Sequence, residues 1–373
     1  MFKNYIKIAF RNILKNKVFS FINIIGLSIG LSAAFVIGAI IYYDMTYDKF
    51  HLEDERIYRI TSDFYTPEGD FHNRGVAVPL GKYAKNNING FETVSTFFTI
   101  YFPKVENKKT DNTFRHVEDA VLADASYFEI FNYQWLAGSA DELAEPNHVV
   151  LTKSRVDKYF PNSALSNVIG KTLFYNDSIP VKLIGVVADF TERSDLFFNE
   201  FISLKTAKNT PMERQVFSDN WNSSNSATQV FVKVEPNVSI AHIQKQLDVV
   251  AYEHADKEMY DLGQKRNFHL QPLTDLHFDA NYGIFNNTKY QGSKKVLISL
   301  SVLALFLLVL GCINFINLNT AQATKRAKEI GIRKTLGSSK KQLITQFLGE
   351  TFLLTLAATF VSLFLSFWLF KVF

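Results

Sequence analysis

Three stretches of this 373-residue chain, residues 19–43, 296–318 and 352–370, contain no Asp, Glu, Lys or Arg. Each is long enough to cross the roughly 30 Å hydrocarbon core of a bilayer as a helix. A bilayer offers the backbone no water to bond, so these stretches are expected to be helices that satisfy their own amides. The basic residues then set the direction of threading. Lys325, Arg326, Lys328, Arg333, Lys334, Lys340 and Lys341 crowd between the second and third runs, and Lys3, Lys7, Arg11, Lys15 and Lys17 precede the first. The positive-inside rule keeps both basic segments in the cytoplasm. Three crossings result, with the N-terminus inside and one large domain outside.

Net charge supports that division. The chain as a whole carries +4, but residues 1–18 and 319–346 together carry +11, and Glu350 and Lys371 cancel. The remainder, 44–295, holds 27 bases and 34 acids and is therefore acidic. The basic pI is a property of the cytoplasmic face and gives no sign of a nucleic-acid surface. The single cysteine, Cys312, sits inside the second apolar run, so the outer domain must fold on burial alone.

The first run is too long for the apolar region of a cleavable signal peptide. Ahead of it, Phe2, Ile6, Phe10 and Leu14 repeat every four residues, as do Lys3, Lys7, Arg11 and Lys15. Residues 1–18 thus read as an amphipathic helix on the inner lipid surface; the plainer alternative is the solvated start of the first crossing. Within that crossing Gly26, Gly30, Ala34 and Gly38 recur every fourth residue, a ladder that lets another helix approach closely, with Ile37 expected to face outward. Gly311, Asn314, Asn317 and Asn319 mark a stripe at the end of the second crossing, and Thr355, Thr359, Ser362 and Ser366 one along the third. No ionisable side chain lies at mid-membrane depth, so no proton relay or ion path is indicated.

Residues 44–295 change character. Segments 55–65, 148–151, 171–175, 181–187, 228–234 and 268–273 read as strands, the third and fourth joined as a hairpin through Asn176, Asp177 and Ser178. Thr152 and Ser239 are placed to cap short helices, the second with Ile240, Ile243, Leu247 and Val250 on one face. Strands and helices mix without regular alternation, which predicts an α+β domain. The polar stretch 207–227 suggests a long loop and a division into two lobes. Catalytic chemistry is not found: there is no phosphate-binding G-x-x-x-x-G-K-[ST], no H-E-x-x-H, no cysteine pair for zinc and no G-x-S-x-G elbow. His254, His269 and His277 show no diagnostic spacing and are expected to be solvated. No metal or cofactor is expected.

The basic loop 319–351 is the most specific part. Residues 320–335 continue the second crossing as a helix, Gly337 is placed for a left-handed C-cap, and Ser339 with Gln342 fits a capping box opening the next helix. Here the chain resembles ABC transporter permeases of the MacB and FtsX type, whose loop reads close to R-x-x-E-I-G-I-x-[RK]-[AT]-L-G. The matching residues are Arg326, Glu329, Ile330, Gly331, Ile332, Lys334, Thr335, Leu336 and Gly337, with Arg333 inside the motif. In that family the loop docks on a cytosolic ATPase, which implies the same role for these positions. Residues 44–59, 125–138 and 149–190 are similar to the MacB-like periplasmic core.

The resemblance implies a non-catalytic, multi-pass permease of the bacterial inner membrane. Its α-helical transmembrane segments would flank an α+β periplasmic domain inserted between the first and second. Its partners would be a cytosolic ABC ATPase, the lipid membrane and a second permease unit, the last as a homodimer or as the other half of a longer chain. Family units have four crossings, so a longer permease cut after the third is expected. The alternative, a membrane sensor with a ligand-binding outer domain, lacks an output region, and a membrane-anchored enzyme lacks a site.

Overall fold

The computed structural model describes residues 10–108, 112–285 and 290–372; the side chains of 323–326, 329 and 372 lie outside that description, as does most of the predicted amphipathic helix. Two units emerge, residues 1–45 with 294–373 and residues 46–293.

Three helices long and apolar enough to cross a membrane make up the first unit: Lys17–Met45, Lys294–Ala321 and Lys340–Val372. The first packs against both others through small side chains, as membrane helices do when no water drives them together. A Cβ on Gly30 would stand 3.0 Å from the Leu307 carbonyl, and one on Gly26 2.7 Å from Asn314 Nδ2. Toward the third helix, Ser28 Oγ donates to the Ala358 carbonyl (2.9 Å), and the Ser366 and Ser32 hydroxyls lie 3.2 Å apart. The ladder does not run its full expected length. Ala34 is only half-buried, Gly38 has open space where a Cβ would go, and Ile37, expected outward, is buried. The close contact drifts off the every-fourth-residue line because a helix turns 3.6 residues at a time. Of the polar stripes, Ser362 and Ser366 are buried while Asn317 stays exposed.

The second unit is built on a mixed sheet. Its strands are β1 (Ile57–Tyr65), β2 (Phe71–Asn73), β3 (Val76–Ala77), β4 (Phe91–Asn107), β5 (Asn112–Ala123), β6 (Trp135–Gly138), β7 (His148–Thr152), β8 (Thr172–Tyr175), β9 (Ile179–Val187), β10 (Glu200–Ser203), β11 (Ser224–Asn225), β12 (Thr228–Val234) and β13 (Lys265–Pro272). Among the described residues, the main path runs β13-β1-β12-β4-β5-β10-β7-β9-β6, with β2 and β8 attached beside it, while β3 and β11 pair with each other as a separate two-stranded sheet. Most pairs are antiparallel; β10 with β5 and β7 with β9 are parallel. The expected hairpin is β8–β9, with Leu173 opposite Val181.

Alternation along the central strands makes two cores. In β12, Val230, Val232 and Val234 pack toward helix Ile240–Glu253, where Ile243, Leu247 and Val250 are buried. Phe231 points to the opposite face and meets Ile57, Phe97 and Phe131. Each such buried aliphatic or aromatic side chain contributes about 1.5–3 kcal/mol. A third cluster, around Phe102, Leu122, Val149 and Tyr175, fills the far half of the sheet. β4 and β5 run through the middle of the sheet, and residues 46–293 group as one compact unit.

Two expected caps are corrected. Neither Thr152 nor Ser239 makes a side-chain capping bond. The Thr152 hydroxyl is taken by Asn199 Oδ1 (3.0 Å), and Asp189 accepts from the Ser154 amide (2.8 Å) in its place.

Candidate coupling segment

The basic loop is almost wholly helical. Helix Ala323–Thr335 follows the second membrane helix after one intervening residue, Gln322, and the third membrane helix begins at Lys340, well before its apolar run. Two local devices make the turn between them. The first is a Schellman C-cap: the Ser338 amide donates to the Arg333 carbonyl (3.0 Å) and the Gly337 amide to the Lys334 carbonyl (3.1 Å). Gly337 has φ +95°, a left-handed conformation that a Cβ disfavours. The second is a capping box, in which the Ser339 amide donates to Gln342 Oε1 (3.0 Å) and the Gln342 amide to Ser339 Oγ (3.3 Å).

The side chains around this turn divide by exposure. Ile332 and Leu336 are 54% and 80% exposed, large for apolar groups in a helix of such polar composition. Gly331, Lys334 and Gly337 are also exposed, and a Cβ on Gly331 would meet nothing within 4 Å. Ile330 and Arg333 are half-buried; the Arg333 guanidinium donates to Gln346 Oε1 and so pins this helix to the first turns of the third. Arg326 and Glu329 are helical in backbone, with side chains outside the described set. The surface that results is apolar at two points, basic at its rim and smooth at Gly331. Among the described side chains of this segment no constellation for bond-making chemistry is present.

Sequence reasoning missed buried polar groups in the second unit. Glu200, fully buried, accepts from the Tyr159 and Tyr175 hydroxyls and lies 3.2 Å from Arg155 Nε. Desolvation holds its carboxyl above the usual range, against the pull of Arg155. Arg155 also pairs with Asp119. The fully buried Arg59 has its pKa brought down to about 9, first by burial and then by Arg74. His277, expected at the surface, is buried, with Nδ1 3.2 Å from Asp195 Oδ2. Nothing in the spacing of these residues announces their meeting; the contacts close over long sequence separations. Among the described residues no group of three or more His, Cys, Asp or Glu is placed to hold a metal.

Comparison with known proteins puts this arrangement in a family. The model of the MacB-like periplasmic core domain matches residues 20–250, and that of the FtsX-like permease C-terminal region matches 301–373. The macrolide export ATP-binding/permease protein MacB of Haemophilus ducreyi is 25% identical over 253 residues, covering 66% of this chain and 32% of its own. The protein of that name from Aggregatibacter actinomycetemcomitans is 26% identical over 244 residues, covering 64% and 33%. The chain thus spans about a third of the length of these curated relatives. A solved domain from Porphyromonas gingivalis, described as part of a permease protein, aligns at TM-score 0.49 and 19% identity, covering 59% of this chain and 90% of the other. With the periplasmic-core model spanning well over half of its residues, the chain belongs to the MacB-like periplasmic core domain family, as an ABC transporter permease of the MacB/FtsX type.

Proposed function

We propose that this chain is the membrane-spanning part of a transporter of the mechanotransmission type. In that reading a cytosolic ATPase binds and hydrolyses ATP, and the chain itself catalyses nothing. Helix Ala323–Thr335 receives the motion, the membrane helices carry it, and the domain 46–293 delivers it outside the inner membrane for export or efflux. Both basic segments lie in the cytoplasm. A second permease unit completes the bundle; the open space at Gly38 leaves room for a helix of that unit.

The observation that supports the reading best is the E-I-G-I helix itself. It leaves Ile332 and Leu336 in solvent at a turn held by two capping devices, an arrangement that costs solvation unless a partner covers it. Lipid attraction alone would account for the lysines, but not for a smooth glycine between two isoleucines. Co-purification tests it. The full chain should capture a cytosolic ATPase, and Glu329→Lys, which inverts charge within the motif and outside any crossing, should cut that capture about tenfold, the equivalent of roughly 1.4 kcal/mol. Capture undiminished by Glu329→Lys removes the coupling role.

A further inference from the structure

Both chain ends of the second unit come from membrane helices. Thr46 follows Met45, the last residue of the first helix, and Ser293 precedes Lys294, the first residue of the second. Inside the domain these two ends meet at a single loop, residues 193–195.

On the incoming side, the Asp48 amide donates to the Arg193 carbonyl (2.9 Å), and the Asp48 carboxylate accepts from the Ser194 hydroxyl and from the Asp195 amide (3.2 Å). Arg193 Nη1 donates to Thr46 Oγ1 (2.8 Å). Asp48 has φ +55°, a left-handed conformation that Asp tolerates better than most residues, and it aims its carboxylate back at the loop. On the outgoing side, His277 Nδ1 lies 3.2 Å from Asp195 Oδ2. The His277 ring stacks on Tyr47 at 3.7 Å between centroids, so the two ends also touch each other. Gly292, two residues before the second helix, passes so close that a Cβ there would stand 2.6 Å from His277 Cδ2. Asp48, Asp195 and His277 are all buried, where hydrogen bonds are shielded from competing water.

We propose that residues 193–195 form a buckle that fastens the incoming and outgoing segments to one another, so that the first and second membrane helices act on the domain as a single input. Ser194, Asp195, His277 and Gly292 are its positioning residues. The proposal rests on the coupling reading above and deepens it. Two segments tethered separately would let either helix move alone, and motion of the pair would dissipate in the linkers. The incoming contacts fall within three residues of Met45, and on the outgoing side Gly292 lies against His277 two residues before Lys294.

Hydrogen–deuterium exchange on the full chain in lipid nanodiscs tests this, with no ATPase present. Ser194→Ala acts first on Asp48 of the incoming side, and Gly292→Ala acts first on His277 of the outgoing side. The buckle predicts that each speeds exchange about threefold or more in both segments, 46–52 and 274–285, while helix Ile240–Glu253 keeps its protection. Loosening confined to the segment each variant touches, or no loosening, overturns the proposal. Arg193→Gln, at a half-buried side chain, serves as a milder incoming-side variant if Ser194→Ala does not assemble. Because the ATPase is absent, this result stands apart from the capture experiment, and either reading can fail alone.

Discussion

Glu200 has no exposed surface, yet it accepts two tyrosine hydroxyls and pairs with Arg155. A carboxyl whose folded pKa is raised contributes its stability below the unfolded value and loses it as pH rises through the raised one. In the native chain Arg155 and the tyrosines limit that loss. Arg155→Met removes the cation and leaves a buried carboxylate with neutral donors only, which costs about 3–5 kcal/mol at pH 7. At pH 4.5 Glu200 takes up a proton in the variant, so the penalty shrinks. Thermal unfolding of both proteins at the two pH values should show a gap that narrows on acidification; an equal gap at both would mean the loss is one of packing alone. No pattern in the sequence foretells this cluster, because Arg155 reads simply as one residue of a short helix and Glu200 falls outside every segment expected as a strand.

Elements were far more legible than their contacts. The strands β7, β9 and β12 lie within two residues of their expected bounds, and the helix Ile240–Glu253 begins right after Ser239 with the expected Ile243, Leu247 and Val250 face buried. The turn at Gly337 and Ser339 was legible too, since caps are local devices written in a few adjacent residues. What stayed hidden was long-range: the sheet order, the parallel pairs, and the central strands β4 and β5, although the Phe- and Thr-rich stretch 91–100 of β4 has strand composition. The glycine ladder was half legible, because repetition every four residues cannot say which rungs meet a neighbour. The structure separates them. Gly30→Leu should part the first and second helices, since its Cβ already crowds the Leu307 backbone, and should lower the detergent melting temperature of the chain by several degrees, as a loss of about 1–3 kcal/mol does in a unit of this size. Gly38→Leu should leave the melting temperature of the lone chain, with no second unit bound, unchanged, and an equal loss at both positions would refute the assignment of the contact to Gly26 and Gly30.

At the scale of the whole molecule, two units carry different kinds of order. The domain 46–293 is held by three apolar clusters and a continuous sheet, while the membrane unit relies on close backbone approach and serine bonds between helices. The chain's family accounts for both parts, and the division of labour proposed above assigns a surface that receives motion to 323–337 and the response to the domain. The measurement that tests this most directly replaces Leu336, the most exposed apolar side chain of the turn, with a photo-crosslinking amino acid in cells. The account predicts an adduct with a cytosolic ATPase that disappears in the Glu329→Lys background. An adduct with lipid or with a protein outside the inner membrane, and none with an ATPase, would contradict both the coupling role and the orientation of the chain.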